Sequence, residues 1–322
     1  MCKEIGSEFH HIPIEHGEGI KFPREGTLVF SGRTAIEAVL KKIPHAKTAL
    51  LPSYCCDSMI EPFRRVGIEI SFFDVNYTNG LDLHIGSKSD ILLFCNYFGF
   101  KTELSDFDGI IIEDITHSLF SDCQYHPQSN YLVASLRKWE PVYCGGYCSI
   151  QTGGLLPPEE FIQGKKHPMM LKTQYLEKPD EKKKPVFLTE FSTSNIWLSK
   201  NYSGLLIDSY SKEYLSCVDM QTQKSIRRKN AHILYDGLRE KYQFLFPEEN
   251  MDCPLFVPVI VNDGRRDEIR QKLTDHHVYC PVHWPHPKAE CRSNLYDMEL
   301  SLICDQRYTA EDMERIISVL CD

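Results

Sequence analysis

The chain has 322 residues, 42% of them hydrophobic and 25% charged, which suits a large α/β unit with or without a smaller second domain. Its net charge of −9 argues against non-specific nucleic-acid binding, which needs a basic surface to displace counterions. No apolar run approaches the roughly 20 residues that span a bilayer, and the opening stretch MCKEIGSEFHHIPIEHGEG lacks the apolar core of a signal peptide, so no membrane partner is expected.

From residue 27 to 152, strand-like and helix-like pieces alternate. TLVF leads into SGRTAIEAVLKKI, where Ala35, Ile36, Val39, Leu40 and Ile43 share one helical face. TALLPSY, the helical DSMIEPFRRVG and the strand EISFFDV follow. After the turn NYTNG come DILLFCNYFG, GIIIED and YLVAS, each short, continuous and apolar. Such runs suit a doubly wound, mostly parallel sheet covered by helices on both faces.

Residues 153–205 are rich in Pro, Gly and Lys and show little periodicity. A solvated excursion is expected there, with a lid or phosphate-binding loop as the alternative. A long helical pattern covers 210–242. LFVPVIV, RRDEIRQKLTDHH, YCPVHWP, MELSLICD and TAEDMERIISVL then describe a small α+β domain. The expected division is a large α/β domain over 1–215 and a linking helix with the small domain over 216–322. Thirteen cysteines include no C-x-x-C pair, and most stand singly in apolar runs. Reduced thiols, no metal site and a cytoplasmic location are expected.

In open α/β sheets, ligands gather at the carboxyl ends of the strands. FSGRTAIEAVL runs from a strand through Gly32 into a helix start, where Gly32, Arg33 and the Thr34 hydroxyl form a candidate phosphate cradle or simply a cap. GIIIEDITHS closes on Glu113 and Asp114, with His117 three residues later. These carboxylates either cap the next turn or hold a cationic ring nitrogen. LLPSYCC places Tyr54 at a third strand end, as a ring face or a core side chain. YLVASLRKWEPVYCGG ends a fourth apolar strand on Arg137 and Lys138, with Gly145 and Gly146 following. A lysine there either emerges into water or supplies a desolvated amine. A phosphate cradle, an acid and an amine at successive strand ends together suit pyridoxal phosphate, which needs an anion at its ring nitrogen and a lysine for its Schiff base.

These segments resemble the DegT/DnrJ/StrS family of fold-type I, pyridoxal-phosphate-dependent aminotransferases. SGRTAIEAVL is similar to the family's S-G-T-A segment, LLPSYCCDSMIEPFRRVGIEISFFDV to its strand-Pro-helix-strand block, and NYFGF to its H-x-Y-G turn. IIIEDITHS matches the E-D-x-x-[HQ] motif, which implies that Asp114 faces the pyridinium nitrogen and His117 lies beside the ring. KWEPVYCGG matches the spacing from Schiff-base lysine to glycine pair, which assigns Lys138. PVHWP and LSLICDQRYTAEDMERI resemble the family's V-H-Y-P and its closing strand and helix. There are departures. Val133 stands where the family has a phosphate-binding serine, leaving Ser135 as the nearest candidate. Cys56 stands where the stacking aromatic is usual, leaving Tyr54 to substitute. The Y-N-x-R-M-x-E segment has no counterpart.

The resemblance implies ping-pong transfer of an amino group from a donor, glutamate being usual, to a keto or aldehyde acceptor, with a nucleotide-linked sugar as one possibility. It also implies a homodimer. Arg307 is a candidate clamp for a substrate carboxylate or a surface ion pair. His283 is either a pocket residue or a packed loop histidine. Two other readings remain open: a lyase or dehydratase of the same fold, against which Lys138 speaks, and a non-catalytic or regulatory protein on the same scaffold. A nicotinamide dehydrogenase is not expected, because no G-x-G-x-x-G follows a strand.

Overall fold

The computed structural model describes residues 4–86, 88–289 and 291–322. The chain divides into two compact units, one of Glu8–Pro44 with Val133–Met220 and one of Glu4–Ser7, His45–Leu132 and Gln221–Asp322. This division differs from the one expected at 215/216, since residues 45–132 group with the C-terminal third.

The first stretch of chain carries β1 (Ile5–Gly6), β2 (Thr27–Val29), α1 (Gly32–Leu40), β3 (Thr48–Pro52), α2 (Asp57–Arg65), β4 (Glu69–Tyr77) and β5 (Leu81–His84). Next come β6 (Ile91–Cys95), β7 (Ile110–Asp114), β8 (Tyr131–Ser135), a single 3-10 turn over Leu136–Lys138, and β9 (Gly146–Cys148). Helices α3 (Glu159–Glu177), α4 (Lys183–Lys200), α5 (Ser209–Leu215) and α6 (Met220–Leu238) follow. The C-terminal part adds β10 (Gln243–Phe244), β11 (Val257–Ile260), α7 (Arg266–Asp275), β12 (Val278–Tyr279), α8 (Leu295–Met298), β13 (Glu299–Leu302) and α9 (Ala310–Cys321).

In the second unit, β7, β6, β3 and β4 run parallel in that order, with Cys95 opposite Asp114 and Pro52 opposite Phe73, and β5 returns antiparallel along β4. All five residues of β6 are buried, as its unbroken apolar run requires. The same unit holds the antiparallel order β10-β11-β13, and β1 pairs with β12. A capping box of Thr309 and Asp312 starts α9.

In the first unit, β2, β9 and β8 are antiparallel rather than parallel. The connection from β8 to β9 is too short for the dozen or so residues that a parallel crossover needs. The glycine pair serves this return. A Cβ at Gly146 would lie 2.3 Å from the Ser31 carbonyl oxygen, so only glycine lets β9 pass the start of α1.

The expected solvated excursion over 153–205 is corrected: it folds into the helices α3 and α4. Its periodicity is concealed because the buried stripe of α3, Phe161, Lys165, Met169, Lys172 and Tyr175, includes two lysines. Each lysine is satisfied locally. Lys165 Nζ donates to Asn195 Oδ1 at 2.6 Å, and Lys172 Nζ donates to the Glu8 carbonyl. Met169 and Tyr175 pack with Phe187 and Phe191 of α4. Pro168 sits inside α3 and has no N–H for the Gly164 carbonyl. Ser194 of α4 supplies the missing donor at 2.5 Å. The long helix expected over 210–242 is also divided, into α5 and α6. The carbonyls of Cys217 and Val218 at the break accept from Gly17 and Gly19 at 2.7 and 3.0 Å.

Ser194→Ala is expected to lower the unfolding free energy by about 1–2 kcal/mol, because it leaves the Gly164 carbonyl without a donor. Urea midpoints at an unchanged slope would measure this. A shift below about 0.5 kcal/mol, normal for a surface site, would contradict the bridging role.

Candidate active site

In the first unit, β2 ends at Ser31, which caps α1 with an extended backbone and accepts from the Thr34 N–H at 3.2 Å. The Thr34 hydroxyl donates to the Tyr202 carbonyl at 2.9 Å and lies 3.0 Å from Ser31 Oγ. It is thereby committed to the cap. Gly32 and Arg33 occupy the first turn, where backbone N–H groups have no intrahelical acceptor. Ser135, the last residue of β8, backs onto this turn: a Cβ added at Gly32 would lie 3.2 Å from that of Ser135. Helix start, Ser135 and the glycine-closed wall of β9 therefore form one corner of the unit.

The 3-10 turn after β8 carries Arg137 and Lys138. Lys138 is exposed on this chain, while Trp139 beside it is fully buried. Arg137 Nη1 donates to Asn195 Oδ1 at 3.3 Å, and Asn195 Nδ2 donates to Glu8 Oε1 at 2.9 Å. Burial pulls the Arg137 pKa down, with Glu8 opposing and the like charge of Arg33 adding to the fall. Arg33 and Arg137 thus bring two positive charges to the neighbourhood of the α1 start. Sequence reasoning named Arg33 and missed Arg137, whose signal was its place directly before the lysine.

The second unit holds the acidic and aromatic candidates. Asp114 closes β7 and is buried; its Oδ1 accepts from the Thr116 N–H at 2.9 Å and from the Thr116 hydroxyl. Glu113 is spent elsewhere. Asn96 Nδ2 at 2.5 Å, the His126 N–H at 2.9 Å and the Ser129 hydroxyl all donate to it, and His126 Nδ1 lies 3.0 Å away. Burial opposes protonation of His126, yet the Glu113 carboxylate raises its pKa above the ordinary value. Glu113 is therefore the carboxylate of the pair that is spent on structural partners, whereas Asp114 accepts from Thr116 beside it.

His117 is buried, and its Nδ1 accepts from the Phe98 N–H at 3.0 Å, which places the proton of the neutral ring on Nε2. Its ring stacks on Trp284 at 5.7 Å and 23°, and meets His283 edge to face at 5.8 Å. Tyr54 follows β3 and is fully buried, with Tyr97 at 5.8 Å, Trp284 at 5.0 Å and Tyr296 at 5.1 Å. Its hydroxyl donates to Glu299 Oε2 at 3.3 Å, and burial pushes its pKa well up, so it stays a neutral phenol. The structure brings Tyr54, His117 and His283 into one aromatic cluster. Tyr97, Trp284 and Glu299 belong to it as well and were not singled out from sequence, where each looks like ordinary core or strand residue.

Arg307 already grips a carboxylate of its own chain. Its Nε donates to Asp305 Oδ1 at 2.9 Å and its Nη2 to Oδ2 at 2.8 Å, and the guanidinium holds Asp305 below the usual carboxylate range although burial acts the other way. The ion pair is a buried one rather than the surface pair offered as the alternative. Among the described residues, no group of three or more His, Cys, Asp or Glu side chains could hold a metal ion.

No family model matches the sequence, and no curated protein matches it. Solved structures do. A DegT/DnrJ/EryC1/StrS aminotransferase from Brucella abortus is similar at 14% identity and a TM-score of 0.62, over 92% of this chain and 85% of that one. A putative sugar aminotransferase from Streptococcus pneumoniae, in its PLP form, is similar at 12% identity and a TM-score of 0.60, over 92% and 86%. A putative PLP-dependent aminotransferase from Bacillus cereus is similar at 13% identity and a TM-score of 0.63, over 93% and 86%. The chain therefore has the fold of the type I pyridoxal-phosphate-dependent aminotransferases.

Proposed function

We propose that this protein is a pyridoxal-phosphate-dependent aminotransferase that moves an amino group from a donor, glutamate being the expected one, to a keto or aldehyde acceptor. A sugar is the acceptor class suggested by the structural neighbours, two of which are named sugar aminotransferases. The observation that carries the reading is the corner of the first unit. There the α1 start lies against Ser135, space is kept by glycine, and Lys138 stands three residues further along the chain. A phosphate suits the first-turn backbone N–H groups of Gly32 and Arg33, the Ser135 hydroxyl and the positive charges of Arg33 and Arg137. The chemistry supplied by the cofactor when bound is an aldehyde and an electron-accepting ring. Asp114 would hold a proton at the ring nitrogen, since a buried carboxylate favours the cationic form of a partner. His117 would lie beside the ring, with Tyr54 in support. Lys138 Nζ would hold the group through its aldehyde and would move a proton at the donor's α-carbon.

A homodimer is proposed with this activity, because Leu155 (75% exposed), Leu156 (64%) and Ile196 (53%) stand in water on the single chain. A cytoplasmic site is also proposed: all described cysteines are free thiols, which suits a reducing compartment. Among the described residues, no helix is long and apolar enough to cross a membrane.

Borohydride treatment of the purified, cofactor-loaded protein should fix the label on the Lys138 peptide, and Lys138→Ala should abolish turnover while retaining non-covalent cofactor. Label on another lysine would overturn the assignment. Asp114→Ala should slow α-proton removal about 100-fold or more in single-turnover experiments with glutamate, at the scale of a lost acid–base contribution, with a smaller loss of cofactor affinity. An unchanged rate in a folded variant would remove Asp114 from the ring nitrogen. Sedimentation should find a dimer at assay concentration; a fully active monomer would refute that part.

A further inference from the structure

Glu299 opens β13 and is fully buried, and nothing in the proposed mechanism uses it. Its two oxygens meet different partners. Oε2 faces the Tyr54 hydroxyl at 3.3 Å and the His283 backbone N–H at 3.3 Å. Oε1 lies 2.5 Å from Ser301 Oγ, which in turn lies 2.8 Å from His283 Nδ1. The order Glu299 Oε1, Ser301 Oγ, His283 Nδ1 is a continuous hydrogen-bonded line. A hydroxyl in the middle of such a line has one hydrogen and must point it one way.

We propose that Glu299 sets, through Ser301, which ring nitrogen of His283 carries its proton. When Glu299 is neutral, Oε1–H donates to Ser301 Oγ, the Ser301 hydrogen points to Nδ1, and the imidazole proton sits on Nε2. When Glu299 is ionised, Nδ1–H donates to Oγ, the Ser301 hydrogen turns to Oε1, and Nε2 keeps a lone pair. Going from the first state to the second, one proton leaves at Nε2, and each hydrogen of the line shifts by one bond. The backbone N–H on Oε2 can only donate, which steers the carboxyl proton to the Oε1 side.

The switch falls in an accessible range. Burial pushes Glu299 up to about 8, against the hydrogen bonds from Ser301, His283 and Tyr54 and the positive charge of Arg266. The pKa is raised, so the neutral form holds below about 8 and the ionised form above it. The groups facing this carboxyl are Tyr54 after β3, Arg266 of α7, Cys280 after β12, and His283 and Ser301 themselves. Tyr54 stays neutral throughout, and the Arg266 guanidinium donates through Nη1 to the Glu299 carbonyl at 3.0 Å. His117 faces His283 from β7's side of the cluster. The consequence for substrate rests on the aminotransferase reading with His283 at the acceptor site: a carbonyl oxygen can only accept, so it needs the Nε2–H form.

The test is nitrogen-15 NMR of histidine-labelled protein between pH 7 and 9.5. Wild type should show Nε2–H for His283 at pH 7 and pass to Nδ1–H with a midpoint of about 8. Glu299→Gln should hold the Nε2–H form throughout, because its amide oxygen takes the place of Oε2 and its amide N–H donates to Ser301. Ser301→Ala should show no coupled switch. A tautomer constant across the range in wild type, or a switch that survives in either variant, would overturn the proposal. In the activity arm, KM for a carbonyl acceptor should rise above pH 8 in wild type and stay flat in Glu299→Gln. A tautomer switch with a flat wild-type KM overturns the substrate part. An intact switch in a protein that transaminates nothing sinks the aminotransferase reading and supports the relay.

Discussion

A charged or polar group shut away from water must find partners inside the protein, and this constraint shapes both units. Glu113 and Asp114 are neighbours at the end of β7, and both are buried. Successive residues of a strand point to opposite faces, so the two carboxylates cannot serve the same ligand. Glu113 gathers Asn96, His126 and Ser129 and so ties the segment around 126–129 to the strand. Asp114, on the other face, accepts from the Thr116 N–H and hydroxyl.

The same constraint explains how a lysine-rich, proline-containing segment becomes a helical hairpin. Lys165 and Lys172 lie in the buried stripe of α3 because Asn195 and the Glu8 carbonyl meet their ammonium groups. Burial, with the nearby Arg137 charge, pulls Lys165 down to about 7, against Glu8. Pro168 would leave a carbonyl unmet were Ser194 not placed across from it. One asparagine, Asn195, accepts from both Lys165 and Arg137, so the hairpin also sets the side chain that precedes Lys138. Structure and candidate chemistry are coupled at that residue.

Around Glu299 the constraint takes another form, because no cation forms a direct ion pair with its carboxylate among the described side-chain contacts. It is met by a phenol, a serine and a backbone N–H, none of which brings charge, while Arg266 acts from its carbonyl side. Burial then dominates and favours the neutral acid. Arg307 and Asp305 are the opposite case, a buried pair whose charges satisfy each other and keep Asp305 ionised.

The sequence by itself determined the order of strands and helices from 27 to 148, since short unbroken apolar runs and one-faced helices carry that information locally. It also determined which residue types end the strands: Asp114 after an apolar run, Lys138 after another, Gly32 before a helix. The antiparallel return of β9 needs Gly146 for a reason, the Ser31 carbonyl, that lies more than a hundred residues away in the chain. Only the tertiary structure decided which of two adjacent carboxylates was spent, that Arg307 was taken by Asp305, that Thr34 turned to Tyr202, and that residues 159–200 formed helices. Each of those outcomes depends on a partner distant in the chain or on the face a side chain occupies. Local periodicity holds neither, because a buried lysine and an exposed one are the same letter until the group that meets its ammonium is in place.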